Sequence, residues 1–149
     1  MEIAALKSQE GVLVFETFTE ETALKLGLTL AEIARDGALP IVIDIRTPDR
    51  TWFHLAMPGS GPNNDNWARR KSNTALMFQE SSLLVGTRLR AKPETLERHG
   101  LAAADYADAG GSFPIRVKGV GVIGAVTVSG LPQVEDHALV VRALTAMLG

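Results

Sequence analysis

The sequence predicts an α+β fold built on a mainly antiparallel sheet. Residues 40–46 and 51–57 alternate apolar and polar side chains on either side of a short turn. A glycine-rich apolar run from Phe113 to Ser129 is interrupted at Lys118-Gly119. Stretches with helical spacing lie between and after these segments. Hairpins dominate this order, which favours antiparallel pairing with helices on the sheet faces. Five strands in a single domain over residues 1–149 are expected.

The elements follow in chain order. Gly11 to Phe15 is a short apolar run and reads as a first strand. Thr17 with Glu20 offers a capping box for a helix that ends at Asp36-Gly37. Lys25, Thr29, Glu32 and Asp36 form one narrow polar stripe on that helix. Leu24, Leu26, Leu28, Leu30, Ala31 and Ile33 cover the rest, which predicts a mostly buried helix. Pro40 to Ile45 and Thr51 to Met57 pair as a hairpin around Pro48 to Arg50. The register that keeps apolar faces together sets Ile43 against Leu55, Ile45 against Phe53 and Asp44 against His54.

A Pro/Gly/Asn loop from Pro58 to Asn64 leads into a helix from Asp65 to Glu80, with Trp67, Met77 and Phe78 as apolar anchors. Ser81 to Arg90 reads as further helix, and Pro93 to His99 as a short one ended by Gly100. Phe113 to Lys118 and Val120 to Ser129 form the second hairpin, and Gln133 to Leu148 the last helix. Leu24, Leu30, Ile43, Phe53, Val126 and Val141 are expected to be buried.

Composition excludes several classes of chemistry. The chain has no cysteine, so disulfides, thiolate nucleophiles, iron–sulfur clusters and cysteine-ligated zinc are ruled out. Net charge is −2 with a pI of about 5.9, which argues against non-specific nucleic-acid binding. The first residues lack a basic segment followed by an apolar run, and no apolar stretch reaches membrane-spanning length. A cytoplasmic protein without membrane or nucleic-acid partners is therefore expected. None of the familiar nucleophile, phosphate-loop or zinc-helix motifs occurs, and no metal site is expected. Gly119-Val120-Gly121-Val122-Ile123-Gly124 matches a dinucleotide pattern in form but lies in a strand run. Glycine there fits close approach of a backbone or a ligand.

The segment Gly59 to Lys71 is the most suggestive for binding. A flexible loop with Gly59 and Ser60 opens a helix that carries Trp67, Arg69, Arg70 and Lys71 in its first turns. Free N–H groups at a helix start attract anions, and cations there are disfavoured unless an anion offsets them. The plain alternative spreads the three cations over the surface, paired with carboxylates. Among the histidines, His54 sits mid-strand beside Asp44, as a hydrogen-bonded structural residue or as a ligand whose tautomer Asp44 fixes. His137 follows Glu135-Asp136 in the first turns of the last helix, and His99 precedes Gly100 at a helix end.

The run Gly110-Gly111-Ser112-Phe113-Pro114-Ile115, continuing to Val128-Ser129-Gly130 and then Glu135-Asp136-His137-Ala138, resembles the signature of the GlcG/HbpS-like, or haem-degrading-domain, family. The whole chain resembles most closely a branch with a Phe-x-x-Ala-x-Pro-Gly loop (Phe53, Ala56, Pro58, Gly59) and an Asn-Asp-x-Trp, Arg-Arg-Lys helix (Asn64, Asp65, Trp67, Arg69, Arg70, Lys71). The ligand of that branch is unassigned. The resemblance implies a profilin-like fold, a five-stranded antiparallel sheet between helical layers, and homo-oligomers. Some relatives bind or degrade haem, while others have no assigned activity.

A binding protein for a small anionic ligand is the leading expectation, using Gly59, Ser60, Trp67, Arg69, Arg70 and Lys71 with His54 and His137. The alternatives are a haem-binding or haem-degrading protein, with the same cations on the propionates and His54 or His137 on iron, and a non-catalytic oligomeric scaffold. The sequence names no reaction.

Overall fold

The computed structural model describes residues 2–149. Its elements are α1 (Ile3–Val12), α2 (Glu20–Asp36), β1 (Val42–Arg46), β2 (Thr51–Ala56), α3 (Pro62–Phe78), α4 (Ser82–Ala91), a 3-10 turn (Leu96–His99), β3 (Ser112–Val117), β4 (Gly121–Ser129) and α5 (Gln133–Leu148). The sheet has four strands in the order β2-β1-β4-β3, and every neighbouring pair is antiparallel. The expected hairpin register holds residue for residue: Ile43 faces Leu55, Asp44 faces His54 and Ile45 faces Phe53.

The expected fifth strand does not form. Its apolar run is divided between the end of α1 and a single parallel bridge from Phe15 to Val117. Phe15 N–H donates to the Arg116 carbonyl at 2.8 Å, and Lys118 N–H donates back to the Phe15 carbonyl at 2.9 Å. Leu6 and Glu10, four residues apart, give α1 the inward face that takes the preceding residues into a helix. No helix among the described residues is long and apolar enough to cross a membrane.

The strand alternation sorts side chains into two unlike interfaces. On one face Ile43, Ile45, Phe113, Ile115, Val126 and Val128 pack against α2 and α5, through Leu26, Leu30, Val140 and Leu144. On the other face α3 crosses β1, β4 and β3 with the small buried residues Ala68, Ser72 and Ala75. That interface is hydrogen-bonded: Ser72 Oγ meets Thr127 Oγ1 at 2.9 Å, and Thr127 Oγ1 donates to Ser112 Oγ at 2.8 Å. Paired hydroxyls avoid the cost of unsatisfied buried polar atoms.

Two details of α2 depart from expectation. Its cap is Thr19, whose hydroxyl accepts from Thr22 N–H at 3.4 Å, rather than Thr17. Its buried residues are Ala23, Leu26, Gly27, Leu30 and Ala34. Leu24 and Leu28 stay 43% and 54% exposed, because one sheet face can cover only one side of a helix. Val141 and Phe53 are half-buried.

Helix α3 starts three residues before the expected Asp65. Pro62 occupies the first helical position, where its missing N–H costs nothing, and the Asn64 side chain accepts from Gly61 N–H at 2.9 Å. Arg69, Arg70 and Lys71 therefore lie in the third turn, beyond the field of the helix start, which fades within the first turn.

Candidate functional site

Successive residues on a helix turn by about 100°, so the three cations of α3 point three ways. Arg69 reaches the loop that precedes β3. It donates to Asp105 Oδ1 at 3.0 Å and to the Ala104 carbonyl at 2.8 Å. Asn73 and Thr74 bind the same loop, with Asn73 Nδ2 on the Asp105 carbonyl at 2.8 Å and Ala107 N–H on Thr74 Oγ1 at 3.1 Å. Arg69 thus acts as a staple for this loop.

Lys71 turns inward and is only 3% exposed. Its ammonium donates to the carbonyls of Gly110 and Val128 and to Asp136 Oδ2, each at 3.0 Å. All three protons are spent inside the protein. Asp136 Oδ1 accepts from Leu131 N–H at 3.0 Å, so the pair joins α3, the end of β4 and the start of α5. Burial pushes the Lys71 ammonium down and the Asp136 carboxyl up, and their mutual attraction opposes both changes. Gly111 makes room for the lysine: at its φ of 136°, a Cβ would sit 2.5 Å from the Val128 carbonyl and 2.6 Å from Lys71 Nζ. This gives the Gly110-Gly111 pair a physical reason.

Arg70 lies over the Trp67 ring, 4.4 Å from its centroid, and its Nε donates to the Ala103 carbonyl at 3.0 Å. No carboxylate pairs with it among the described residues, and its two terminal nitrogens remain available. Trp67 separates two cavities. One, of about 280 Å³, is lined by Asn64, Trp67, Lys71, Gln133 and Asp136. The other, of about 220 Å³, is lined by Trp67, Arg70, Tyr106 and Asp108. The second cavity depends on Gly86 in α4, where a Cβ would fall 1.9 Å from the Asp108 carbonyl oxygen.

His54 stands apart from both cavities, at the edge of the sheet and 38% exposed. Its Nδ1 is 2.7 Å from Asp44 Oδ2, and its Nε2 is 2.7 Å from Asp65 Oδ1 on α3. Arg46 grips the same Asp44 in two-point fashion at 2.6 and 2.7 Å. Burial alone lowers the His54 pKa, but hydrogen bonds and charge from Asp44 and Asp65 outweigh it and leave it raised. Only the imidazolium can donate to both carboxylates at once.

His137 is 2% exposed, with Nε2 2.6 Å from Gln9 Oε1 and a buried Nδ1 that has no partner among the described residues. Burial lowers its pKa to about 4. Gly59 and Ser60 form the turn before α3, where Ser60 Oγ donates to the Met57 carbonyl at 2.6 Å. The structure thus brings Trp67 and Arg70 to one cavity and Trp67 and Lys71 to the other, while Arg69, His54, His137, Gly59 and Ser60 serve elsewhere. No group of three or more histidine, aspartate or glutamate side chains is arranged to hold a metal ion among the described residues.

This geometry has relatives. The family described as "Haem degrading protein HbpS-like" matches residues 18–145. The chain belongs to the HbpS-like family. A UPF0303 protein of Streptomyces coelicolor is 51% identical over 148 residues, covering 99% of this chain and 94% of that protein. Among solved structures, the Ybr137w protein superposes with a TM-score of 0.90 at 30% identity, covering 99% of this chain and 88% of that one. HbpS itself superposes with a TM-score of 0.71 at 25% identity, over 89% of this chain and 90% of that one. The α+β architecture and antiparallel sheet are those of HbpS-like structures, with four strands in this member.

Within this HbpS-like chain, sequence reasoning missed Tyr106, Asp108, Gln133 and Asp136 as cavity residues. They lie 36 or more positions from Arg70, and none but Asp136, in the Glu135-Asp136-His137-Ala138 signature, belongs to a local motif. Only the docking of the loop on α3 brings Tyr106 and Asp108 to the site.

Proposed function

We propose that this HbpS-like protein binds a small anionic ligand and that Arg70 receives the anion. The observation that carries this reading is the guanidinium itself, half-buried at a cavity wall and stacked on Trp67. It is held by one hydrogen bond to a carbonyl and has no acid partner among the described residues. A guanidinium fixed this way offers two parallel donors to a carboxylate or phosphate with little ordering cost. Three other half-buried arginines are paired with acids, in Arg46–Asp44, Arg69–Asp105 and Arg88–Glu80, while Arg116 is held, like Arg70, by a backbone carbonyl but does not line the Trp67 cavities.

Haem is the second reading, and the family's description favours it. The histidines of this chain do not fit an axial ligand. Both nitrogens of His54 face carboxylates, His137 is enclosed with Gln9, and His99 lies beside Glu94. None of them lines either cavity beside Trp67. Both cavities are also smaller than the roughly 300 Å³ at which pockets for drug-sized molecules begin, and a tetrapyrrole is larger still.

Thermal shift against phosphate and succinate, beside a spectroscopic haem titration, tests the two readings. An anion-dependent rise of the midpoint without a Soret shift is expected. A sharp Soret band with no response to either anion would transfer the assignment to haem.

A further inference from the structure

We infer that the ligand of the Arg70 cavity is a small zwitterion, with its anionic end on Arg70 and its ammonium end on Asp108. This rests on the reading of Arg70 as the anion site and adds a second, opposite contact. Asp108 lines the same cavity and is half-buried. Its carboxylate accepts no hydrogen bond and forms no ion pair among the described residues, although a guanidinium lines the same space.

Both charges are held in place by other means. Arg70 is fixed by the Trp67 ring and the Ala103 carbonyl. Asp108 is fixed through its backbone. Its carbonyl lies against Gly86, and the preceding Ala107 N–H is held by the Arg70 carbonyl at 3.2 Å and by Thr74 Oγ1 at 3.1 Å. Asp108 and Arg70 therefore line one cavity and are not paired with each other.

That arrangement disfavours a simple anion. The anion would satisfy Arg70 but bring a second negative charge into a partly desolvated space with Asp108, and with Glu97 at the same wall. A molecule with both charges satisfies both walls, and its net charge adds no repulsion. Size narrows the class further. The cavity is small, at about 220 Å³. It suits a short amino acid, whose two charges cancel.

Calorimetric titration of the full chain with β-alanine, L-alanine, glycine, propionate and propylamine tests this. At least one zwitterion is expected to bind at least tenfold more tightly than propionate or propylamine. Asp108→Asn should reduce zwitterion affinity to the level of propionate and strengthen propionate itself, while the Arg70→Ala variant should lose both. If propionate binds wild type as tightly as the zwitterions and Asp108→Asn changes nothing, the zwitterion inference is overturned and the anion reading stands. If no probe binds, the zwitterion inference fails, and the anion reading fails with it only when phosphate and succinate also leave the thermal midpoint unchanged. Should Asp108→Asn fold poorly by circular dichroism, the wild-type ranking of the five probes decides alone.

Discussion

At the level of single residues, His54 and His137 show how one side chain is tuned in opposite directions. His54 bridges two carboxylates and its pKa is raised. Its contribution to stability is complete below the unfolded value near 6.5 and is lost as pH rises through the raised folded value. His137 is enclosed as the neutral form, with its pKa lowered to about 4. The unfolded chain binds that proton at higher pH than the folded one does, so stability falls as pH drops from about 6.5 towards 4, by on the order of 3 kcal/mol. Proton NMR titration should show one histidine titrating above 6.5 and one near 4, and His137→Gln should flatten the acid slope in urea denaturation. A His137 that titrates near 6.5 in the folded protein would contradict this assignment. The Asp44–His54 contact was legible from strand register. Asp65 was not, because it depends on how α3 docks. The three cations look alike in sequence, and no pattern there says that Lys71 faces inward while Arg70 faces a cavity.

Helices and loops carry the next level. Helix α4 holds the 103–109 loop through Gly86, whose missing side chain admits the Asp108 carbonyl. Alanine in a helix interior ordinarily gains up to about 1 kcal/mol over glycine. At Gly86 the clash with backbone should reverse that sign, with a cost of about 1–3 kcal/mol and a displaced loop that weakens ligand binding. Gly11 in α1 is the control: a Cβ there meets nothing within 4 Å, so Gly11→Ala should raise the thermal midpoint. The two midpoints measured side by side check the argument, and a stabilised Gly86→Ala would refute it. The same level shows where sequence reading stops. Helix α5 and both hairpins were legible, since their alternation and turn residues agree. The boundary of α1 was not, because Gly11 to Phe15 suits a strand locally and only the Leu6/Glu10 face takes its first residues into a helix. The polar α3 interface was also hidden, since no sequence pattern links Ser72, Ser112 and Thr127 before α3 docks on the sheet.

Across the whole molecule, the sheet has one covered margin and one open one. Phe15 meets the outer side of β3, while among the described residues β2 pairs only with β1. Beside β2, the exposed Leu28 joins Leu55 and Met57 around a cavity of about 390 Å³. Open strand edges next to apolar surface favour association, and the predicted state is a homo-oligomer. Sedimentation at micromolar concentration should give at least a dimer, and Leu28→Glu should lower the assembly state without loss of helix content. A wild-type monomer under those conditions would contradict it.

The central claim is that Arg70 holds an anion, and calorimetry on two proteins tests it most directly. Phosphate and β-alanine are titrated into wild type and into Arg70→Ala, with circular dichroism confirming that the variant keeps its fold. The account predicts binding of at least one probe to wild type. It also predicts a loss of about 1.5–3 kcal/mol in the variant, the range for hydrogen bonds to charged groups and a factor of ten or more in Kd. Equal affinity in the two proteins, or no binding of either probe to wild type, would contradict it.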